Sequence, residues 1–165
     1  MDAEADFVAI LTTLNDHRVD YFVVGMLAAV LQGAPAVTFD VDIVHSRNPT
    51  NVARLLAALR DLDAVYRQDP RRLRPDESHL AGPGHQLLRT RLGDLDVLGT
   101  LGEGADFEAL AGDTVEADLE GVRVRVLSLS RVIEAKQAAG RPKDLAVLPM
   151  LRATLDELRK REQKP

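Results

Sequence analysis

Two aspartates two residues apart, Asp40 and Asp42, interrupt the apolar stretch Thr38–Val44 (TFDVDIV). In a strand, residues i and i+2 point to one face about 6.6 Å apart. Asp40 and Asp42 would then project together, while Phe39, Val41 and Ile43 turn into the core. Two carboxylates this close repel each other, and partial burial sharpens the repulsion. A divalent cation removes the conflict, and magnesium is typically held by one or two carboxylates, with waters and phosphate oxygens completing its shell. A solvent-facing strand edge carrying two hydrated acids fits the same residues, and this stretch alone does not decide between them.

A second pair shifts the balance. Asp94 and Asp96 lie in Gly93–Gly99 (GDLDVLG), again two apart among apolar neighbours. If that strand lies beside the first, one of its acids completes a cluster of three carboxylates, enough to hold two ions about 3.5–4 Å apart. Asp96, flanked by Leu95, Val97 and Leu98, is the better candidate; Asp94 follows Gly93 and fits a turn equally well.

The elements that must position these acids follow from periodicity. Phe7, Ile10, Leu11 and Leu14 recur at helical spacing, predicting a helix over 3–15. Asp20–Val24 reads as a short strand, broken by Gly25 and followed by a short helix over 26–33 that Gly33 closes. Val37–Val44 is the next strand, and Asn48-Pro49-Thr50 opens a helix whose stripe is Val52, Leu55, Leu56 and Leu59. The stretch 68–84, with three prolines, two glycines and Arg71, Arg72 and Arg74, reads as a long polar loop. Strands over 86–90 and 92–98 look able to pair, and 106–110 is a helical turn. Strands over 114–119 and from 122 onward flank a turn at Gly121. Ser128 or Ser130 caps a helix that runs to Ala139 and stops at Gly140; Pro142 starts the last one, with the stripe Leu145, Leu148, Leu151, Leu155 and Leu158 and a frayed basic tail from Arg159. The order predicts an α+β fold: a mixed β-sheet with helices packed on it and helices at the C-terminus. We read 1–165 as one domain, a core over about 1–127 and a helical segment over about 128–164.

Composition narrows the class. Hydrophobic residues make up 45% and charged ones 28%, as expected of a folded globular chain. Having no cysteine excludes thiolate nucleophiles and zinc-thiolate sites. The acidic start MDAEADF lacks a signal peptide's basic and apolar regions, and no apolar run reaches the ~18–20 residues that span a bilayer. The expectation is a cytoplasmic protein with no membrane partner. A net charge of −5 gives no overall pull toward nucleic acid. Locally, Arg67, Arg71, Arg72, Arg74, Arg89 and Arg91 offer a contact to an RNA backbone, but without interleaved aromatics a solvated charge run explains them better. His17, His45, His79 and His85 show no metal-ligand spacing; His45 either lines the acidic site or is a surface histidine at a strand end. Ser128 and Ser130 read as helix caps, not nucleophiles.

Gly25, Ala28 and Gly33, followed by Thr38-x-Asp40-x-Asp42, resemble the signature of the nucleotidyltransferase fold, the DNA-polymerase-β-like superfamily. The likeness extends over Tyr21–Val44 and Leu92–Leu101, and returns at 132–148, where IEAKQAAGRPKDLAVL is similar to a helical segment of that family. Within it, the small bacterial AbiEii-type and MenT-type toxins of toxin–antitoxin systems look nearest.

The resemblance implies Asp40, Asp42 and Asp96 as catalytic acids and metal ligands, with Mg2+ or Mn2+, two ions, bound to the triphosphate of an NTP. It implies nucleotide contacts from Gly25, Met26, Thr38, Lys136, Arg141 and Asp144. Its physics is that of phosphoryl transfer, which rests on positioning and charge neutralisation. The acceptor it suggests is an RNA hydroxyl, tRNA first, or a protein hydroxyl, with a cognate antitoxin as partner. Lys136, Arg141 and Asp144 also fit a plain ion pair between helices. Met26 stands where relatives usually have a second glycine or serine, and Ala36 where many have arginine; both loosen the expected grip on triphosphate. The alternative reading is a catalytically impaired nucleotide-binding or protein-interaction module that keeps the fold.

Overall fold

A computed structural model describes residues 5–164. A seven-stranded mixed sheet runs through the molecule. Its strands are β1 (Tyr21–Val24), β2 (Asp40–His45), β3 (Val65–Tyr66), β4 (His85–Thr90), β5 (Gly93–Leu98), β8 (Thr114–Leu119) and β9 (Val122–Leu127), in the order β3-β4-β5-β2-β1-β9-β8. Thr100–Leu101 (β6) and Ala105–Asp106 (β7) form a separate small ribbon. β2 runs parallel to β5, and β1 parallel to β9; the remaining pairs in the large sheet are antiparallel. The expected α+β class with a mixed sheet and C-terminal helices is the observed one.

Local chemistry sets the helix ends. Asp6 caps α1 (Phe7–Asp16) by accepting from the Ala9 N–H, and Ile10, Leu11 and Leu14 face the core. Asn48 caps α3 (Pro49–Asp61) through the Asn51 N–H, with Pro49 in its first turn. Ser128 accepts from the Arg131 N–H at the start of α6 (Leu129–Ala139), which Gly140 ends in the left-handed conformation at φ +64°. Between β1 and β2 lies the short α2 (Gly25–Leu31), α5 (Phe107–Leu110) follows the small ribbon, and α7 (Pro142–Glu162) comes after α6. All four residues of β1 are buried, as a strand inside a sheet covered on both faces requires. Among the described residues, no helix is long and apolar enough to cross a membrane.

The structure corrects several expectations. The helix expected from residue 3 begins at Phe7; Ala3 and Glu4 lie outside the described residues. β2 starts at Asp40, not Val37, because its partners end there: β5 pairs with it from Asp94 onward, and β1 only as far as Asp42. Phe39 therefore has no neighbouring strand to cover it and is 80% exposed instead of buried, as is Val37 at 76%. The stretch 68–84 is not all loop, since Asp76 caps a helix, α4 (Glu77–Ala81), in a reciprocal box with His79. His45 is buried, not at the surface; its Nε2 lies 2.8 Å from the Leu80 carbonyl and so carries the proton, tying the end of β2 to α4. Leu145 is exposed while Leu148 and Leu151 are buried, and α7 stays helical to Glu162 where fraying was expected from Arg159.

Candidate active site

β2 alternates as its sequence demands: Val41 and Ile43 are buried in the core, and Asp40 and Asp42 share the opposite face. The parallel neighbour β5 stands in register, so Asp40 faces Asp94 and Asp42 faces Asp96. Four carboxylates thus form two rungs on one face. Asp94 belongs to the strand and not to a turn.

Oxygens of Asp40, Asp42 and Asp96 all lie within 4.8 Å of one another, an arrangement able to hold a metal ion. Asp42 is more enclosed than its strand neighbour Asp40. Burial first, then the charges of Asp40 and Asp96, push its pKa up to about 8 against a weaker pull from Lys136. Its Oδ1 is buried with no hydrogen-bond partner. Asp40 is raised as well, by burial and then by Asp96 and Asp94, while Arg67 lowers it. A buried, unpartnered carboxylate oxygen among like charges is the electrostatic signature of a cation site. Three carboxylates supply hard oxygen donors of the kind that suits Mg2+ or Mn2+.

Gly25 closes one side of this centre. It begins α2 at φ +67°, and a Cβ built there would collide with Asp42 Oδ2 and stand 3.2 Å from Asp42 Cγ. Glycine is required at this position both by conformation and by space. The next residue, Met26, turns its partly buried side chain onto the hydrophobic core. Thr38 donates its hydroxyl to the Asp40 carbonyl at 3.2 Å, locking the chain entering β2.

Lys136, Arg141 and Asp144 come together at the junction of α6 and α7. Asp144 is fully buried, receiving Arg141 Nε at 2.6 Å and Lys136 Nζ at 3.3 Å. Burial alone would raise its pKa, but the hydrogen bonds from Arg141 and Lys136 outweigh it and hold the carboxyl low. Lys136 touches both clusters electrically, since its charge also acts on Asp42.

The sequence reading left out Arg67 as part of this site. Just past β3, its Nη1 donates to Asp96 Oδ1 at 2.9 Å and to the Leu88 carbonyl at 3.0 Å, and its Nε lies 3.7 Å from Asp94 Oδ2. Arg89 in β4 faces Asp94 from the other side at 3.6 Å. The strand pairing expected between 86–90 and 92–98 was the available signal, since it sets Arg89 opposite Asp94. Arg67 depends on β3, only two residues long and too short to leave a periodic trace. Arg71 pairs with Asp69, and Arg72 and Arg74 with Asp63, so the basic run is a set of local ion pairs.

A sequence profile of the aminoglycoside-2''-adenylyltransferase family matches residues 6–147. No curated protein matches the chain by sequence alone. Among solved structures, the lincosamide antibiotic adenylyltransferase LnuA with lincomycin bound is similar at a TM-score of 0.64 and 15% identity, over 92% of this chain and 99% of that one. ANT(2'')-Ia in complex with adenylyl-2''-tobramycin aligns at 0.57 and 16% identity, over 93% and 94%. A nucleotidyltransferase-like protein from Thermotoga maritima aligns at 0.56 and 20%, over 91% and 90%. These likenesses bear out the nucleotidyltransferase fold; none of them speaks for its toxin-type branch. With both its acidic strands and its Gly25 turn inside the matched span, the chain belongs to the aminoglycoside-2''-adenylyltransferase family, a family of nucleotidyltransferases.

Proposed function

We propose that this chain, acting as one unit over 1–165, is a divalent-metal-dependent nucleotidyltransferase that moves a nucleoside monophosphate from an NTP to a hydroxyl of a small molecule. The observation that carries the reading is the convergence of Asp40, Asp42 and Asp96 around a buried, unpartnered Asp42 oxygen. Those three carboxylates would hold Mg2+ or Mn2+, two ions, whose charge would neutralise the triphosphate oxygens and the negative charge developing on the departing pyrophosphate.

The remaining roles belong to the chain's own groups. Gly25, lacking a Cβ, lets the chain pass close beside Asp42, and the backbone N–H groups of Gly25 and Met26 at the start of α2 would face the phosphates. Lys136, oriented by Asp144 together with Arg141, supplies positive charge on the same side. Thr38 holds the approach to β2. In the transfer, the acceptor hydroxyl gives its proton to a carboxylate of the triad. Its oxygen bonds to the α-phosphorus, the bond from that phosphorus to the bridging oxygen breaks, and the electron pair departs with pyrophosphate. An NTP-using reaction of this kind suits the cytoplasm.

A small-molecule acceptor is favoured by the family match. RNA or protein acceptors and a toxin–antitoxin setting are separate outcomes of the same assay. Purified protein is incubated with Mg2+ or Mn2+, each α-labelled NTP, and in turn lincomycin, tobramycin, hydroxylated metabolites, total tRNA and a protein extract. Metal-dependent label on a small molecule, lost in Asp42→Ala, is the expected result. Label on tRNA or protein replaces the acceptor assignment. No transfer with metal-dependent NTP binding retained leaves the impaired nucleotide-binding module, and loss of both leaves a protein-interaction module that keeps the fold.

A further inference from the structure

The family name suggests an aminoglycoside acceptor, and the side of the site open to an acceptor argues against one. With the nucleotide on the Gly25 and Lys136 side, as proposed above, an in-line displacement brings the attacking hydroxyl from the opposite direction. Away from β1 and its Gly25 turn, the sheet continues from β2 into β5, β4 and β3, and we take that half as the acceptor side. Its register puts Leu87 of β4 beside Asp96, and Arg89 beside Asp94, on the carboxylate face.

An aminoglycoside carries several ammonium groups, and a site that holds one needs carboxylates free to receive them. Among the described residues, the carboxylates placed on this face are committed, three to the proposed metal ligand set and Asp94 to arginines. Asp40, Asp42 and Asp96 are turned toward one another. Asp96 Oδ1 is already engaged by Arg67 at 2.9 Å, with both side chains largely buried, so this pair resists screening better than a surface one. Asp94 is faced on one oxygen by Arg67 and on the other by Arg89. Beyond them, Asp63 and Asp69 are also paired with arginines. Two arginines, Arg67 and Arg89, against two carboxylates, Asp94 and Asp96, leave this wall balanced in charge, with Arg89 at its exposed end. The arginines of the neighbouring loop are tied to those acids and form no open basic track, so a polyanion such as RNA is not favoured either.

We propose that Arg67 and Arg89 are specificity-determining residues that set the acceptor as a small hydroxyl compound, neutral or bearing one anionic group, and exclude polycationic aminoglycosides. The test titrates tobramycin into wild-type protein at low salt, with Mg2+ and a non-hydrolysable ATP analogue present. Arg67→Gln/Arg89→Ala is titrated in parallel. Glutamine retains a donor for the Leu88 carbonyl while removing the charge over Asp94 and Asp96. The expected result is a gain in tobramycin affinity of about tenfold or more in the double variant, abolished at high salt. Equal affinities, whether both proteins bind tightly or neither does, overturn the proposal. Arg89→Ala alone, at an exposed position, gives a smaller gain and serves if the Arg67 variant does not fold. Label transfer from ATP to tobramycin by the wild type, at rates matching neutral hydroxyl compounds, also overturns it. The inference rests on the nucleotidyltransferase reading, so melting shifts with Mg2+ and the analogue are recorded on the same samples. Their absence sinks that reading, while a repeat of the titration without nucleotide still reports the charge of the wall.

Discussion

Asp42 and Asp96 stand directly opposite each other on the parallel strands β2 and β5, although 54 positions separate them in the chain. Parallel strands require a crossover. Here it consists of α3, β3, α4 and β4, so the machinery that brings the two acids together also delivers Arg67 to them.

This rung makes the metal-free protein sensitive to pH. Asp42 has its pKa raised from 3.8 to about 8, so between those values the folded state binds more protons than the unfolded chain. Stability attributable to Asp42 is therefore present at low pH and is lost as pH rises through that window. Melting in EDTA should show this slope, and Asp42→Asn should flatten it and raise the melting temperature near pH 8. Added Mg2+ should stabilise the wild type far more at pH 8 than at pH 5, because it binds the ionised form. A wild-type melting temperature indifferent to both pH and Mg2+ counts against the cation centre.

His45 provides the opposite slope. Buried and neutral, with its Nε2–H given to the Leu80 carbonyl, it has a lowered pKa because burial disfavours the imidazolium. The unfolded chain then binds the extra proton, and stability falls as pH drops below about 6.5. His45→Gln should weaken this acid-side loss at some cost in overall stability. Hydrogen exchange should locate the opening in α4 and the end of β2; exchange unchanged there between pH 7 and pH 5 would falsify the assignment.

How much of this was legible beforehand depended on the range of each signal. Asp40 and Asp42 announce themselves through a period of two, and Ser128, Asn48 and Gly140 mark helix ends with side-chain and backbone chemistry that acts locally. The register that sets Asp96 beside Asp42 is non-local; the second acidic pair raised it only as a condition, and the family resemblance turned it into an expectation. Phe39 misled because alternation predicts a face but not where the neighbouring strands stop. Arg67 stayed hidden because its role depends on a two-residue strand and a partner 29 positions away.

Gly25→Ala should injure both fold and site. The residue sits at φ +67°, where an L side chain costs about 1–3 kcal/mol, and the new methyl would run into Asp42 Oδ2. A lower melting temperature together with loss of Mg2+-dependent ATP binding is expected by calorimetry. An alanine variant that binds ATP normally would show that the space beside Asp42 is not used by phosphate.

Asp144 separates structure from chemistry at the α6–α7 junction. Asp144→Ala removes the buried carboxylate that Lys136 and Arg141 share, a loss of about 1–3 kcal/mol, less than for a fully buried pair because Arg141 is 59% exposed. The wild-type carboxyl has a lowered pKa, so its contribution is present above about 3.8 and disappears only as pH falls below that value. Lys136→Met tests the other partner. It should weaken ATP binding with a smaller loss of stability, because Arg141 remains on Asp144. Equal effects of Lys136→Met and Asp144→Ala on melting, with ATP affinity unchanged, would make the cluster purely structural.

Met26 decides whether the site is impaired. Its side chain packs against the core, which takes it away from the space beside Gly25. On this geometry Met26→Gly does not open a phosphate site. It removes apolar packing and adds a glycine within α2, a helix-propensity cost of about 1 kcal/mol. The expected outcome is a lower melting temperature with Mg2+·ATP affinity no better than wild type. If Met26→Gly instead binds ATP more tightly or gains transfer activity, the methionine obstructs the phosphates and the wild-type protein works below the capacity of its fold.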